Sequence, residues 1–265
     1  DKDVITRSVR LINEDKETVY INKIASFNLD LSSDEFELIN FNGAWILETH
    51  QSNKKLLPGI YINDSKTGNS SHRHNPFFML QEKNGTLNTG SAYGFNLVYS
   101  GNHQELVEVT TFHKTRIQSG INPFCFRYEI KENEIFETPV AVLTYSNKGL
   151  NGVSQNMHKF VNNHIVRGEW ANKDRPVLLN NWEGTYFEFN EAKIVSLAKK
   201  AKDVGVELFV LDDGWFGARN DDTKGLGDWV VNKKKLPHDL CGLADKINKM
   251  GLKFGLWFEP EMVNE

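Results

Sequence analysis

The sequence predicts two regions of different fold class, an all-β part followed by a parallel α/β part. The second part reads as a (β/α)8 barrel or another parallel α/β sheet. Three observations carry this. Up to about Ser146 apolar and polar residues alternate with a period of two. Over residues 150–165 a helical period takes its place. Beyond Arg175 three short apolar runs, each ending in polar and aromatic residues, are separated by helical patterns.

In the first region Phe95, Leu97 and Tyr99 alternate with Asn96 and Val98. Phe124, Phe126, Tyr128 and Ile130 alternate with Cys125, Arg127 and Glu129. Successive side chains of a strand point to opposite faces, so both runs read as strands with one face on a core. Asn84-Gly85 marks a hairpin between Met79-Leu80-Gln81 and the run near Tyr93, and Pro58-Gly59 and Asn122-Pro123 mark further turns. Many short strands with turns at intervals predict a β-sandwich. Leu150, Val153, Met157, Phe160, Val161 and His164 then form one apolar stripe of a joining helix, and that stripe is read as packing.

The α/β region opens with Pro176-Val177-Leu178-Leu179, which leads into Asn180-Asn181-Trp182-Glu183-Gly184. Ala192, Val195, Leu197, Ala198 and Ala201 give the next helix its inner side, with Asn190-Glu191 to cap it. The second run, Leu208-Phe209-Val210-Leu211, meets Asp212-Asp213-Gly214-Trp215 and reads as a strand buried on both faces. A long polar loop, 219–225, follows at the end of the sheet where binding loops concentrate, and Gly227-Asp228-Trp229 within the same connection reads as β-structured. Leu240, Leu243, Ile247 and Met250 are the core face of a helix that Gly251 ends. The third run, Leu252-Lys253-Phe254-Gly255-Leu256-Trp257-Phe258, leads into Glu259-Pro260-Glu261. The domain division expected is 1–148 β-sandwich, 149–170 helical linker and 171–265 α/β.

Composition narrows the function. The 265 residues are 39% hydrophobic and 25% charged, enough apolar residue for a sizeable core. Net charge is −4 and the pI about 6.1, which argues against nucleic-acid and anionic-membrane partners. The run Lys233-Lys234-Lys235 reads as a solvated loop face. Cys125 and Cys241 lie in different presumed domains, so no disulfide is expected and reduced thiols fit the cytoplasm. No apolar stretch approaches a membrane span, and Asp1-Lys2-Asp3 is not a signal peptide. The missing initiator Met is read as a processed or trimmed start.

The segments NNWEGTYF, LFVLDDGWFG, LGDWVVN and GLWFEPEMV, in this order and spacing, closely resemble the α-galactosidases of glycoside hydrolase family 36. SSHRHNPFF, YGFNLVYSGNH, SGINPF and YSNKGLNGVSQ resemble the N-terminal domain of that family. The resemblance covers nearly the whole chain. It implies a β-sandwich of the supersandwich type followed by the first βα units of a TIM barrel. The implied activity is that of a retaining enzyme cleaving terminal α-galactosides of the melibiose and raffinose type. It also implies galactose-containing oligosaccharides as partners, a homo-oligomer (a tetramer), and no metal or other cofactor.

Glycosidic cleavage generally needs two carboxylates flanking the bond. Asp212 and Asp213 are neighbours whose side chains diverge, so they do not straddle a substrate. Accepting hydrogen bonds from sugar hydroxyls suits them better. Trp182 and Trp257 offer flat faces for the C–H side of a pyranose. The plain alternatives are a turn cap and a solvated acid for the pair, and core packing for each Trp. The resemblance assigns all four to substrate binding, with Asp212 and Asp213 at the O4 and O6 end of galactose. It places the nucleophile in a Lys-Trp-Asp segment on the next strand, which this sequence lacks. Both catalytic carboxylates are therefore expected beyond Glu265, with most of the barrel, and the chain alone is expected to be inactive. His72 and His74 are a thin metal signal and read as loop hydrogen-bonders near a sugar pocket or subunit contact. Two other function classes compete. One is a non-catalytic galactose-binding or interaction module. The other is a metal-dependent barrel enzyme with Asp212, Asp213, Glu259 and Glu261 around Mg²⁺.

Overall fold

The computed structural model describes residues 3–264. Contacts divide the chain into two compact units, Asp1–Ala171 and Asn172–Glu265.

The first unit is built on two antiparallel sheets. The six-stranded one has the order Val4–Arg7, Val140–Ser146, Ala92–Val98, His74–Glu82, Phe36–Ala44, Leu47–Lys55. The four-stranded one runs Ala25–Leu31, Thr115–Ile121, His103–Val109, Gly59–Asp64. The alternation read from the sequence sets the register: Phe95 and Leu97 are buried while Asn96 is half-buried on the other face. Phe95 stacks between Phe27 and Phe78, with ring centroids 5.7 and 5.0 Å away, and Leu80 and Ile117 complete the centre of this core. The hairpin at Asn84-Gly85 forms as expected. Asn84 takes a φ of 67°, and the strands it joins pair Gln81 with Ala92.

The alternation at 124–130 gives a strand only over Tyr128–Ile130. Pro123 opens a turn in which Phe126 N–H donates to the Pro123 carbonyl at 3.2 Å, and Phe124 is left exposed. A period of two in side-chain character cannot form a ladder where proline starts a turn. The predicted helix appears as an α-helix, Gly149–Phe160, followed by a π turn, Val161–Ile165. Leu150, Val153 and Met157 pack it on the outer face of the six-stranded sheet. A Cβ on Gly94 would stand 2.4 Å from Val153 Cγ1, so the helix can lie this close only over a glycine.

The second unit is a β-α-β-α-β arrangement. Leu178–Asn180, Leu208–Leu211 and Lys253–Leu256 form a parallel sheet in that order, with Asn180 opposite Val210 and Val210 opposite Gly255. Helices Glu191–Asp203 and Asp239–Lys249 bury Ile194, Ala198, Leu243 and Ile247 against Phe209 and Leu211. Asn190 caps the first of them, its Oδ1 accepting from Lys193 N–H at 2.9 Å. Gly251, at φ 80°, follows the second. Phe209 and Leu211 are fully buried, whereas Leu208 and Val210 are only half-buried, so the strand is packed on one face rather than two. The helices cover the Phe209 side alone.

Candidate functional site

Parallel strands end on the same side of their sheet. The three polar ends of the α/β unit are therefore neighbours, spaced by about 4.8 Å per strand. Trp182 begins a single helical turn, Trp182–Thr185, after the first strand; Asp212 and Asp213 end the second; Trp257 ends the third. The outer two strand ends are thus about 10 Å apart, roughly the width of a monosaccharide with its hydroxyls.

Asp212 is fixed from the first strand. Its N–H donates to Asn181 Oδ1 at 2.8 Å, and Asn181 Nδ2 in turn donates to Thr185 Oγ1 at 2.7 Å. One carboxylate oxygen accepts from Asn180 Nδ2, the other from Asp213 N–H at 2.7 Å. Asp213 is held differently. Arg219 grips it with two nitrogens: Nη2 donates to Oδ2 at 2.7 Å and Nε to Oδ1 at 2.9 Å. Gly214 N–H adds a bond to Oδ1 at 2.6 Å. Asp213 and Arg219 are 5% and 4% exposed, so this is a buried, bidentate ion pair. The hydrogen bonds that Arg219 donates to Asp213 raise the Arg219 pKa above its ordinary value, against the effect of burial. Arg219 Nη1 donates to Lys224 O at 3.0 Å, and the guanidinium lies 5.5 Å from the Phe187 ring centre.

The tryptophans are half-buried. Trp182 meets Tyr186 and Phe187 edge to face, with centroids 5.2 and 5.0 Å away. Trp257 lies nearly parallel to Phe216 at 6.5 Å. Its backbone is pinned twice: its N–H donates to Leu211 O at 2.9 Å, and its carbonyl accepts from Trp215 Nε1 at 3.1 Å. Trp215 and Phe216, both fully buried, back this wall together with Trp229.

The structure also brings in residues that the sequence reading passed over. In the sequence Arg219 is one residue of a polar loop, and Lys235 belongs to a basic run that reads as solvated. Lys233 and Lys234 are indeed exposed, but Lys235 turns inward. The signal for Arg219 was present: a buried acid calls for a counter-charge, and Arg219 is the first cation after the Asp pair.

The magnesium alternative finds no ligand set. Among the described residues no group of three or more His, Cys, Asp or Glu side chains is arranged to hold a metal ion. Asp213 is instead occupied by Arg219. Glu259 has its pKa raised, by burial first and then by repulsion from Glu261 and Asp213, with Arg219 opposing. His74 lies in the β unit, where its Nδ1 is 3.0 Å from Asn42 Oδ1; His72 is exposed in the preceding turn. Among the described residues no helix is long and apolar enough to cross a membrane.

In parallel α/β folds, acids and aromatics gathered at the C-terminal ends of the strands stand where polar ligands bind. Comparison with known proteins carries this further. The family model described as the glycosyl hydrolase family 36 N-terminal domain matches residues 1–131, and the melibiase model matches residues 135–265. The chain belongs to glycoside hydrolase family 36. Alpha-galactosidase AgaA of Geobacillus stearothermophilus is 46% identical over 261 residues, 98% of this chain and 36% of that protein. Alpha-galactosidase Mel36A of Lactobacillus acidophilus is 46% identical over 264 residues, 100% of this chain and 36% of that protein. The crystal structure of an AgaA variant in complex with raffinose matches with a TM-score of 0.93 at 46% identity, covering 98% of this chain and 36% of the other. The chain thus spans 36% of the length of these two relatives.

Proposed function

We propose that the α/β unit supplies part of the galactosyl-binding site of a retaining α-galactosidase, and that its sheet is the beginning of a TIM barrel. The carrying observation is the braced acid pair at a parallel strand end, in a chain 46% identical to α-galactosidases over nearly its whole length. An ionised carboxylate has about four acceptor positions. Asp212 uses one on each oxygen for Asn180 and Asp213, which leaves room for two hydroxyl donors. Charge-assisted bonds of this kind are roughly twice as strong as neutral ones. Trp182 and Trp257 are the walls for the apolar side of the ring. Asp212 and Asp213 serve binding, not bond cleavage, and the 265-residue polypeptide by itself is expected to turn over no α-galactoside.

The same reading divides the chain into a 1–148 sandwich, a 149–170 helical connection and a 171–265 barrel portion. It takes the enzyme as cytoplasmic, in keeping with the free thiols of Cys125 and Cys241, and as a homotetramer. Its substrates are galactose-containing oligosaccharides of the raffinose and melibiose type.

The test uses the full natural polypeptide that carries these residues. It should hydrolyse a chromogenic α-galactoside, with activity unaffected by chelator. Asp212→Asn should lower kcat/KM by about 10- to 100-fold, the worth of one hydrogen bond to a charged group. Sugar binding without turnover would point to the non-catalytic module, and loss of activity on chelation to the metal-dependent enzyme.

A further inference from the structure

We propose that Lys235 is a positioning residue of the Asp212–Asp213 site, fixing the two donors that hold Asp213. This rests on the galactosyl-binding reading above.

The Lys235 ammonium faces three backbone carbonyls: Gly214 O at 2.9 Å, Phe187 O at 3.0 Å and Arg219 O at 3.3 Å. An ammonium has three protons and accepts nothing, so three carbonyls saturate it. They come from two separate connections, the one after the first strand and the one after the second. The choice of carbonyls is specific. The Asp213 carboxylate has two protein donors, the Gly214 N–H and the Arg219 guanidinium. Lys235 holds the carbonyls of these same two residues. The cation never touches Asp213 in a hydrogen bond, yet it sets the backbone from which both grips are applied.

The approach is built for. Gly214 has a φ of +91°, and a Cβ there would sit 3.0 Å from Phe187 Cδ1 and 3.3 Å from Lys235 Nζ. Lys235 is anchored by its own backbone: its N–H donates to Asn232 O at 3.1 Å, and its carbonyl accepts from Glu191 N–H at 2.9 Å. The Phe189 ring centre lies 4.7 Å from Nζ, a further favourable contact for a cation. Burial pushes the Lys235 pKa down, with the Asp213 charge opposing. A lysine present only to cover apolar surface would extend its charge to water. This one turns its ammonium onto three carbonyls instead, and holding it there requires the carbonyls to stay in place.

The experiment compares Lys235→Met, Lys235→Arg and the core control Ile247→Val in the full natural polypeptide. The readout is the ratio of kcat/KM for an α-galactoside to that for the α-glucoside, its C4 epimer, with melting temperature measured alongside. Displaced Asp213 should cost the galactoside about 10- to 100-fold while the ratio falls, because sub-ångström placement governs such contacts. Lys235→Arg should restore melting in part but not the ratio, since a planar fork cannot meet three converging carbonyls. Ile247→Val should leave the ratio unchanged. A ratio kept at the wild-type value in both Lys235 variants, whatever the melting temperature, overturns the proposal. If the wild type has no α-galactosidase activity, the functional reading fails separately. Positioning is then judged from crystal structures of the Lys235 variants: a displaced Asp213–Arg219 pair supports it, and an undisturbed pair overturns it.

Discussion

Removing Arg219 should be the most damaging single change in the α/β unit. In Arg219→Met the stem volume remains, and the guanidinium that donates to both Asp213 oxygens is lost. Asp213, 5% exposed, then keeps a single protein donor, Gly214 N–H. Truncating one partner of a buried pair costs about 3–5 kcal/mol, because the other charge is left uncompensated. Proteins carry about 0.05–0.15 kcal/mol of stability per residue, so this is about a fifth or more of what a unit of this size commands. At about 4–8 °C per kcal/mol for small domains, melting should fall by at least about 12 °C. Trp215, 1% exposed within the aromatic cluster, reports unfolding of this unit by fluorescence in urea. A second variant separates the charge from the packing. Arg219→Met with Asp213→Asn removes both charges and should recover about 2 kcal/mol relative to Arg219→Met alone. A cost below about 1 kcal/mol for Arg219→Met, typical of an exposed pair, would refute the reasoning, since the pair would then be screened by solvent.

Two further outcomes follow from other buried charges. Burial alone would raise the Glu191 pKa, but hydrogen bonds from Lys246 and His238 outweigh it and the net direction is down. Its contribution to stability is therefore complete above the ordinary carboxylate value and is lost as pH falls through the depressed one; Glu191→Gln should flatten the acid limb of a melting-against-pH curve, and an unchanged limb would exclude the assignment. In the sandwich, His103 and Glu105 are 0% and 2% exposed, with Nδ1 2.9 Å from Oε2 and Nε2 3.0 Å from His74 O. Glu105→Leu should cost about 1–3 kcal/mol by leaving the buried His103 Nδ1 without its partner, read as a lower urea midpoint in circular dichroism; a cost near zero would mean that the cluster rearranges freely.

Much of this architecture is written locally in the chain. The period of two around Phe95, the apolar stripe of the helix that packs over Gly94 and the Asn190 cap each depend on residues close in sequence. So does the run from Leu208 into the Asp pair. What escaped depends on distant backbone. Nothing in Lys233-Lys234-Lys235 distinguishes the third lysine from the first two; only the return of the chain past Phe187, Gly214 and Arg219 does so. The Phe124–Ile130 alternation misleads for a related reason, since side-chain character repeats where Pro123 has already turned the backbone. Leu208 and Val210 look as apolar as Phe209 and Leu211, but burial is decided by where the helices lie.

The two adjacent acids should consequently behave as different residues. Asp213 has a dedicated cation, so Asp213→Asn leaves Arg219 buried without its counter-charge and should lower stability as well as activity. Asp212 accepts only from neutral donors, an asparagine amide and a backbone N–H. An asparagine at 212 still offers one acceptor oxygen and strands no buried cation, so it should cost less stability than the change at 213 while the charge that strengthens a hydroxyl contact disappears. Melting temperature and kcat/KM should thus fall together for Asp213→Asn and separate for Asp212→Asn. Equal melting losses in the two variants would mean that Arg219 does not discriminate between the acids. The asymmetry assigned to them from their hydrogen-bond partners would then be wrong.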